Sequence, residues 1–260
     1  MMAGARAQGE TVGLPDGFRI LRYDCLDSTN EEARRLADSG APGGLAVCAD
    51  RQTSGRGRQA RPWESPKGNL YVSYLLRPEC DLARAAQLSF AAALAVGDAV
   101  RALAPSGLQV TYKWPNDVLF NGRKGAGILL ETSGRADGAL QSLIVGIGIN
   151  IVAGPAEARF PATCLRAEGC AADLTAPRLL DALNASFLAW TTRWAGEGFV
   201  PLRAAWRAKA RGLGERIEAR LPQETLVGRF ADLDADGTLL LAMASGSTRR
   251  VTAGDIYFLE

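Results

Sequence analysis

The chain changes rhythm near residue 212. Before that point, apolar strand-like runs (18–23, 45–49, 69–76, 110–113, 143–152) share the sequence with helical stretches at 83–103, 177–194 and 202–210. Beyond it, only short strands punctuated by glycine remain, at 217–221, 226–230, 239–243, around Val251 and at 256–259. A period of 3.6 residues and a period of 2 demand different packing partners. The break therefore predicts two units, an α+β body over 18–212 and a small β-barrel over 213–260, after a flexible tail at 1–17. Strands and helices do not alternate cleanly in the body, which argues against a doubly wound parallel sheet. A mixed or antiparallel sheet with flanking helices is expected.

Composition narrows the chemistry. The chain has 260 residues, 47% hydrophobic and 22% charged, enough for a sizeable core. Its 30 basic and 28 acidic side chains leave a net charge of +2, so no concentrated basic excess marks a nucleic-acid binder. Histidine is absent, which removes Ser-His-Asp and Cys-His catalysis and imidazole metal sites. The five cysteines are an odd number with no C-x-x-C pair, which points to reduced thiols in the cytosol rather than a disulfide framework or a thiolate zinc site. The first 16 residues lack the apolar region of a signal peptide, and no transmembrane helix is expected.

Local signals then place candidate residues. Ser28-Thr29-Asn30-Glu31 fits a capping box opening a helix that Gly40 stops. Residues 50–68 form a polar connection too long to be routine, and within it lies Gly55-Arg56-Gly57-Arg58-Gln59-Ala60-Arg61-Pro62-Trp63. Glycines let backbone approach a ligand, and guanidinium groups hold phosphate or carboxylate bidentately. The third glycine of a dinucleotide fingerprint is missing there, and the chain has no P-loop. Lys113-Trp114-Pro115-Asn116-Asp117 reads as a strand end leaving Asn116 and Asp117 free, and Asp117 is a candidate Mg²⁺ ligand. Asn121-Gly122 suits a type I′ hairpin turn, followed by Lys124 and Gly127. In the run from Val145 to Ile151, period-2 alternation sends Val145, Ile147, Ile149 and Ile151 to the core. Gly146, Gly148 and Asn150 then face the other way, as a smooth floor that Gly127 can extend from a neighbouring strand.

In this order, Asp27-Ser28-Thr29-Asn30, Gln52 with Gly55-Arg56-Gly57-Arg58, Lys113-Trp114-Pro115-Asn116-Asp117, Lys124-x-x-Gly127 and Gly146-Ile147-Gly148-Ile149-Asn150 resemble the biotin protein ligases, over roughly residues 18–155. The resemblance implies a class II synthetase-like catalytic domain with an SH3-like C-terminal barrel. It implies ATP, biotin and Mg²⁺ as reactants, a biotinyl-5′-AMP intermediate, and transfer to a lysine of a biotin carboxyl carrier protein. It carries roles onto residues. Ser28, Thr29, Asn30 and Gln52 hold the ureido end, with Gly127 beneath. Gly55, Arg56, Gly57 and Arg58 form the closing loop, and Trp63 shields the ligand. Lys124 stands at the carboxyl and α-phosphate. Arg61, Asn116, Asp117 and Asn150 serve nucleotide and metal. Lys124, Arg58 and Asp117 are the expected catalytic groups, with Asp117 or solvent taking the acceptor amine's proton.

One departure stands out. The family loop commonly continues Gly-x-Gly-Arg where this chain has Gln59-Ala60-Arg61, so Ala60 costs of order 1 kcal/mol if the position needs φ > 0. With no helix-turn-helix before the first strand, the resemblance is to a ligase without repressor function, binding neither DNA nor membrane. Exposed glycine-rich strands are compatible with a homodimer. The competing readings are a lipoate ligase or octanoyltransferase of the same fold, and a non-catalytic biotin-binding or RNA-contacting module. The first is expected to carry a histidine that this chain lacks.

Overall fold

Alternation along each strand decides what the two faces of the main sheet carry. The computed structural model describes residues 14–134, 140–155 and 160–259. Strands β1 (Arg19–Tyr23), β2 (Leu45–Ala49), β3 (Leu70–Leu76), β4 (Val110–Lys113), β5 (Asp117–Phe120), β6 (Arg123–Gly134) and β7 (Leu140–Ile149) form one sheet in the order β1-β2-β3-β7-β6-β5-β4. Only β1 and β2 pair in parallel; the other neighbours are antiparallel, so the sheet is mixed as expected.

On one face, Val72, Tyr74, Val118, Phe120, Ile128, Val145, Ile147 and Ile149 join the main core with helices α3 (Leu88–Leu103) and α4 (Ala176–Glu197). The opposite face is divided. Helix α1 (Thr29–Asp38) covers one part of it, packing Ala33 and Ala37 on Leu45, Val47, Leu75 and Ile144. Continuing along the same face of β7, Ile144 gives way to Gly146 and Gly148, and the helix cover ends. This is where the cavity opens.

Two local expectations change. The segment 83–103 is two helices, α2 (Leu82–Ala86), which Asp81 caps through Arg84 N at 2.7 Å, and α3. They meet at Gln87, whose Oε1 accepts from Trp194 Nε1 at 2.9 Å. By length and composition 82–103 would pass for a membrane span, but its packed α3 residues make it the core helix of the body. The capping box at Ser28 does not form. The Thr29 amide donates to Gln52 Oε1 (2.8 Å), and Glu31 pairs with Arg34 and Arg56 instead of reaching back. The Ser28 hydroxyl is thereby left for the cavity.

Helix α5 (Val200–Arg207), with Pro201 in its first turn, leads out of the body. Strands β8 (Arg216–Arg220), β9 (Thr225–Leu233), β10 (Leu239–Ala242), β11 (Thr248–Val251) and β12 (Asp255–Phe258) form an antiparallel sheet in the order β11-β10-β9-β8-β12. Its core residues, including Ile217, Phe230 and Leu241, are continuous with the main core. Trp114 Nε1 donates to Gly237 O at 3.1 Å, fixing this sheet against the lysine-bearing end of β4. Of the tail expected at 1–17, residues 1–13 lie outside the described residues, and Leu14 already packs against the core.

Candidate active site

The cavity, about 410 Å³, lies over the glycine-bearing ends of β6 and β7. Gly127 pairs with Gly148 across these strands, so the expected shared floor exists. The Trp63 ring rests on it. A Cβ on Gly148 would come within 2.7 Å of the indole, and one on Gly127 within 3.0 Å, so neither position has room for a side chain. Two residues along β7, the Asn30 amide lies on Gly146 in the same way. A strand advances ~3.4 Å per residue. The floor therefore sets out a row with Asn30 at one end, Trp63 in the middle, and Asn150 beyond.

The Asn30 end is polar and ordered. The Ser73 hydroxyl lies 2.8 Å from Thr29 Oγ1 and 2.5 Å from Asn30 Oδ1, and Thr29 Oγ1 lies 3.1 Å from Gln52 Oε1. Gln52 Nε2 in turn donates to Ser65 Oγ at 2.9 Å. Ser28, Thr29 and Asn30 are buried. A row of fixed donors and acceptors at a closed end suits a small polar ring, because groups already oriented lose little entropy on binding.

The other end is cationic. The four lysines of the chain are Lys67, Lys113, Lys124 and Lys209, and two of them converge on Asp117. Lys124 Nζ stands 2.6 Å from Oδ1 and Lys113 Nζ 3.4 Å from Oδ2. Burial alone would raise the Asp117 carboxyl, but the Lys124 and Lys113 ammoniums outweigh it and hold it below the usual carboxylate range. Burial also pushes the Lys113 ammonium down, with Asp117 opposing. Arg58, pushed down by burial and partly restored by Asp255 and Asp117, donates to Asn116 Oδ1 and Gly254 O, both at 3.2 Å. Arg61 is ion-paired with Asp255.

Arg56 to Trp63 form a hairpin arching over the cavity. Arg56 bridges Pro62 in antiparallel fashion, Gly57 N donates to Arg61 O (2.7 Å), and Arg61 N to Arg58 O (3.2 Å) closes the tip. The two tip residues, Gln59 and Ala60, have φ of 55° and 56°. Ala60 therefore does occupy the left-handed region that the sequence comparison of loops made a concern.

The structure brings together Ser28, Thr29, Asn30, Gln52, Arg56, Gly57, Arg58, Arg61, Trp63, Asn116, Asp117, Lys124, Gly127 and Asn150 around this cavity. Gly55 is the exception. It sits under the hairpin, where a Cβ would come within 3.0 Å of Gln52 Nε2, and supports the wall without forming it. Asn150 spends its amide on Thr163 O (3.0 Å) and shapes the far end. Asp117 does not fit the role of metal ligand, since both oxygens face ammonium groups, and among the described residues no three carboxylates or thiols gather. Sequence reasoning missed Asp255 and Tyr257, which reach the cavity from the C-terminal sheet, and Phe160, whose ring carries Lys113 Nζ at 4.6 Å. It also missed Glu131, which accepts from Asn30 Nδ2 at 2.8 Å. The ring of Tyr71 closes the wall, with its phenol bonded to Pro66 O and pushed by burial up to about 12.

Fold and cavity together define an α+β protein whose pocket runs from a hydrogen-bonding end to a cationic end. The chain belongs to the biotin/lipoate A/B protein ligase family: that family's model matches residues 29–208, and the biotin protein ligase C-terminal domain matches residues 212–259. It is 40% identical to a biotin–[acetyl-CoA-carboxylase] ligase of Paracoccus denitrificans, over 89% of this chain and 97% of that protein. It is 35% identical to the bifunctional ligase/repressor BirA of Bacillus subtilis, over 92% of this chain and 74% of that protein. Among solved structures, the biotin protein ligase of Aquifex aeolicus in complex with biotin and ATP superposes with a TM-score of 0.76 at 30% identity, covering 92% of this chain and 97% of that one.

Proposed function

We propose that this protein activates biotin with ATP to biotinyl-5′-AMP and transfers the biotinyl group to a specific lysine of a biotin carboxyl carrier domain, as a biotin–[acetyl-CoA-carboxylase] ligase. The observation that carries this reading is the single row along the glycine floor: an ordered hydrogen-bonding end at Thr29, Asn30 and Gln52, an indole in the middle, and a cationic end at Lys124, Lys113 and Arg58. The ureido ring occupies the first part, the carboxylate reaches Lys124 past Trp63, and the nucleotide fills the space towards Asn116, Asn150 and Tyr257.

In the first step a biotin carboxylate oxygen bonds to the α-phosphorus while the bond to the bridging oxygen breaks and pyrophosphate leaves. Two anions must meet, and two unit charges 4 Å apart interact by about 4 kcal/mol at an effective dielectric of 20. Lys124 and Arg58 supply fixed positive charge at that centre, a preorganised arrangement that costs no reorganisation during reaction. Asp117 holds both lysine ammoniums in place. Mg²⁺ enters this reading as part of the nucleotide substrate, because the Asp117 carboxylate already faces the Lys113 and Lys124 ammoniums. The hairpin then keeps water from the mixed anhydride.

In the second step the neutral lysine amine of the carrier bonds to the acyl carbon and AMP leaves. Both Asp117 oxygens already face lysine ammoniums, so in this reading the amine's proton goes to solvent. The five cysteines are free, as a reducing compartment keeps them, which supports a cytoplasmic location. The test is transfer itself. Incubation with biotin, MgATP and a carrier domain should label that domain, and a Lys→Arg change at its acceptor lysine should abolish the label. Labelling by lipoyl or octanoyl groups in place of biotin contradicts the reading.

A further inference from the structure

Glu131 stands on the cavity face of β6, opposite Ile144 of β7, and three side chains share its carboxylate. Oε2 accepts from Asn30 Nδ2 at 2.8 Å, while Arg56 of the hairpin approaches Oε1 at 3.2 Å and Arg34 approaches it at 3.1 Å. Arg56 and Arg34 also pair with Glu31, so two guanidinium groups and two carboxylates make a neutral cluster between α1, β6 and the hairpin. Asn30 itself is 4% exposed. Its amide is held from both sides, the oxygen by Ser73 and the nitrogen by Glu131. An amide offers two donors and two acceptor lone pairs. One N–H and one lone pair therefore remain for the cavity that Asn30 lines.

We propose that Glu131 is a positioning residue that orients the Asn30 amide toward the biotin head group and, through the same carboxylate, anchors Arg56 and so the hairpin above it. This rests on the functional reading given above. Without Glu131, the nearly buried Asn30 nitrogen loses its acceptor and the cluster gains a net positive charge, while nothing on the core face of the sheet changes. The consequence is specific: ground-state binding of biotin weakens, and handling of ATP does not, because the hairpin tip is held separately by Arg58 and Arg61. Loss of uniform binding raises KM and leaves kcat.

The test is biotin-dependent ATP–pyrophosphate exchange by the whole protein, with biotin and ATP titrated separately. Glu131→Ala should raise the KM for biotin about tenfold, the loss of one hydrogen bond to a charged group, with the KM for ATP unmoved. Glu131→Gln keeps an acceptor for Asn30 but cannot pair with Arg56, so its rise should be smaller; it also carries the test if the alanine variant fails to fold. Combining Asn30→Ala with Glu131→Ala should fall short of additivity, because the Asn30 contact is shared and only the Arg56 contact remains to be lost. An unchanged biotin KM in either Glu131 variant, a parallel rise for ATP, or full additivity with Asn30→Ala overturns the proposal. A wild-type protein with no biotin-dependent exchange removes the functional reading and this inference with it; an active wild type beside unmoved variants removes this inference alone.

Discussion

Among the described residues, two hairpin tips place a pair of consecutive residues at positive φ, and they are built from opposite materials. Asn121-Gly122 joins β5 to β6 with φ of 48° and 78°, the residue pair that type I′ turns favour. Gln59-Ala60 closes the hairpin over the cavity with φ of 55° and 56°, and neither residue is suited to it. The left-handed region costs an ordinary L-residue roughly 1–2 kcal/mol. The scaffold turn is also pinned from outside, by Asn121 to the Gln109 backbone and by Asn121 and Arg123 to Glu168. The cavity hairpin is held across its tip by Arg58, reaching Asn116 and Gly254 O, and by Arg61 on Asp255. One turn is stable by its own chemistry. The other is held by side chains that reach across the site, Arg58 and Arg61.

The sharpest way to break this contrast is Arg58→Gly. It removes two hydrogen bonds from a charged donor, each worth about 1.5–3 kcal/mol, and should speed release of biotinyl-AMP by about a hundredfold or more, measured as free adenylate after single-turnover activation. Unchanged retention would mean the hairpin closes without Arg58. Next in size, Gly122→Ala places a β-carbon at φ 78° in open space. It should cost about 1–2 kcal/mol and lower the melting temperature by a few degrees without altering adenylate release. Ala60→Gly should work the other way. Relief of strain less the entropy of a new glycine leaves roughly 0.5–1 kcal/mol in favour of the closed tip, seen as a two- to fivefold slower release with catalysis of activation unchanged.

The smallest effect lies away from both turns. The hydrogen bonds of Arg35 hold the exposed Asp27 carboxyl at about 2. A depressed carboxylate stabilises the fold above its unfolded value near 3.9 and loses that contribution as pH falls toward 2. Screening limits it to about a few tenths of a kcal/mol. Asp27→Asn should flatten the pH dependence of the urea midpoint slightly in that window and nowhere else.

Much of this was legible in the residues. The Asn-Gly turn, the period-2 glycines of β7 and the apolar faces of β3 and β7 follow from local rules, because each is decided within a few neighbouring positions. The Gly-Arg loop announced a ligand-facing segment by composition. Glu131 was hidden, since an acid near the end of a half-exposed strand looks like any solvated charge until α1 brings Asn30 over it. Asp255 and Tyr257 were hidden for a different reason: their part in the site depends on how the C-terminal sheet docks, and Trp114 bonding to Gly237 sets that docking across 123 positions of sequence. The capping box misled because Ser-x-x-Glu is a local signal, and Gln52 and Arg56, both distant in sequence, competed for the same partners and won.

The measurement that tests the central claim most directly is ATP–pyrophosphate exchange, run in parallel with biotin, lipoate and octanoate. The account predicts exchange that depends on biotin and is absent with the other two acids, because the row from Asn30 to Lys124 is built for a hydrogen-bonding head on an anionic tail. Exchange driven by lipoate or octanoate, or none with any acid, would contradict it.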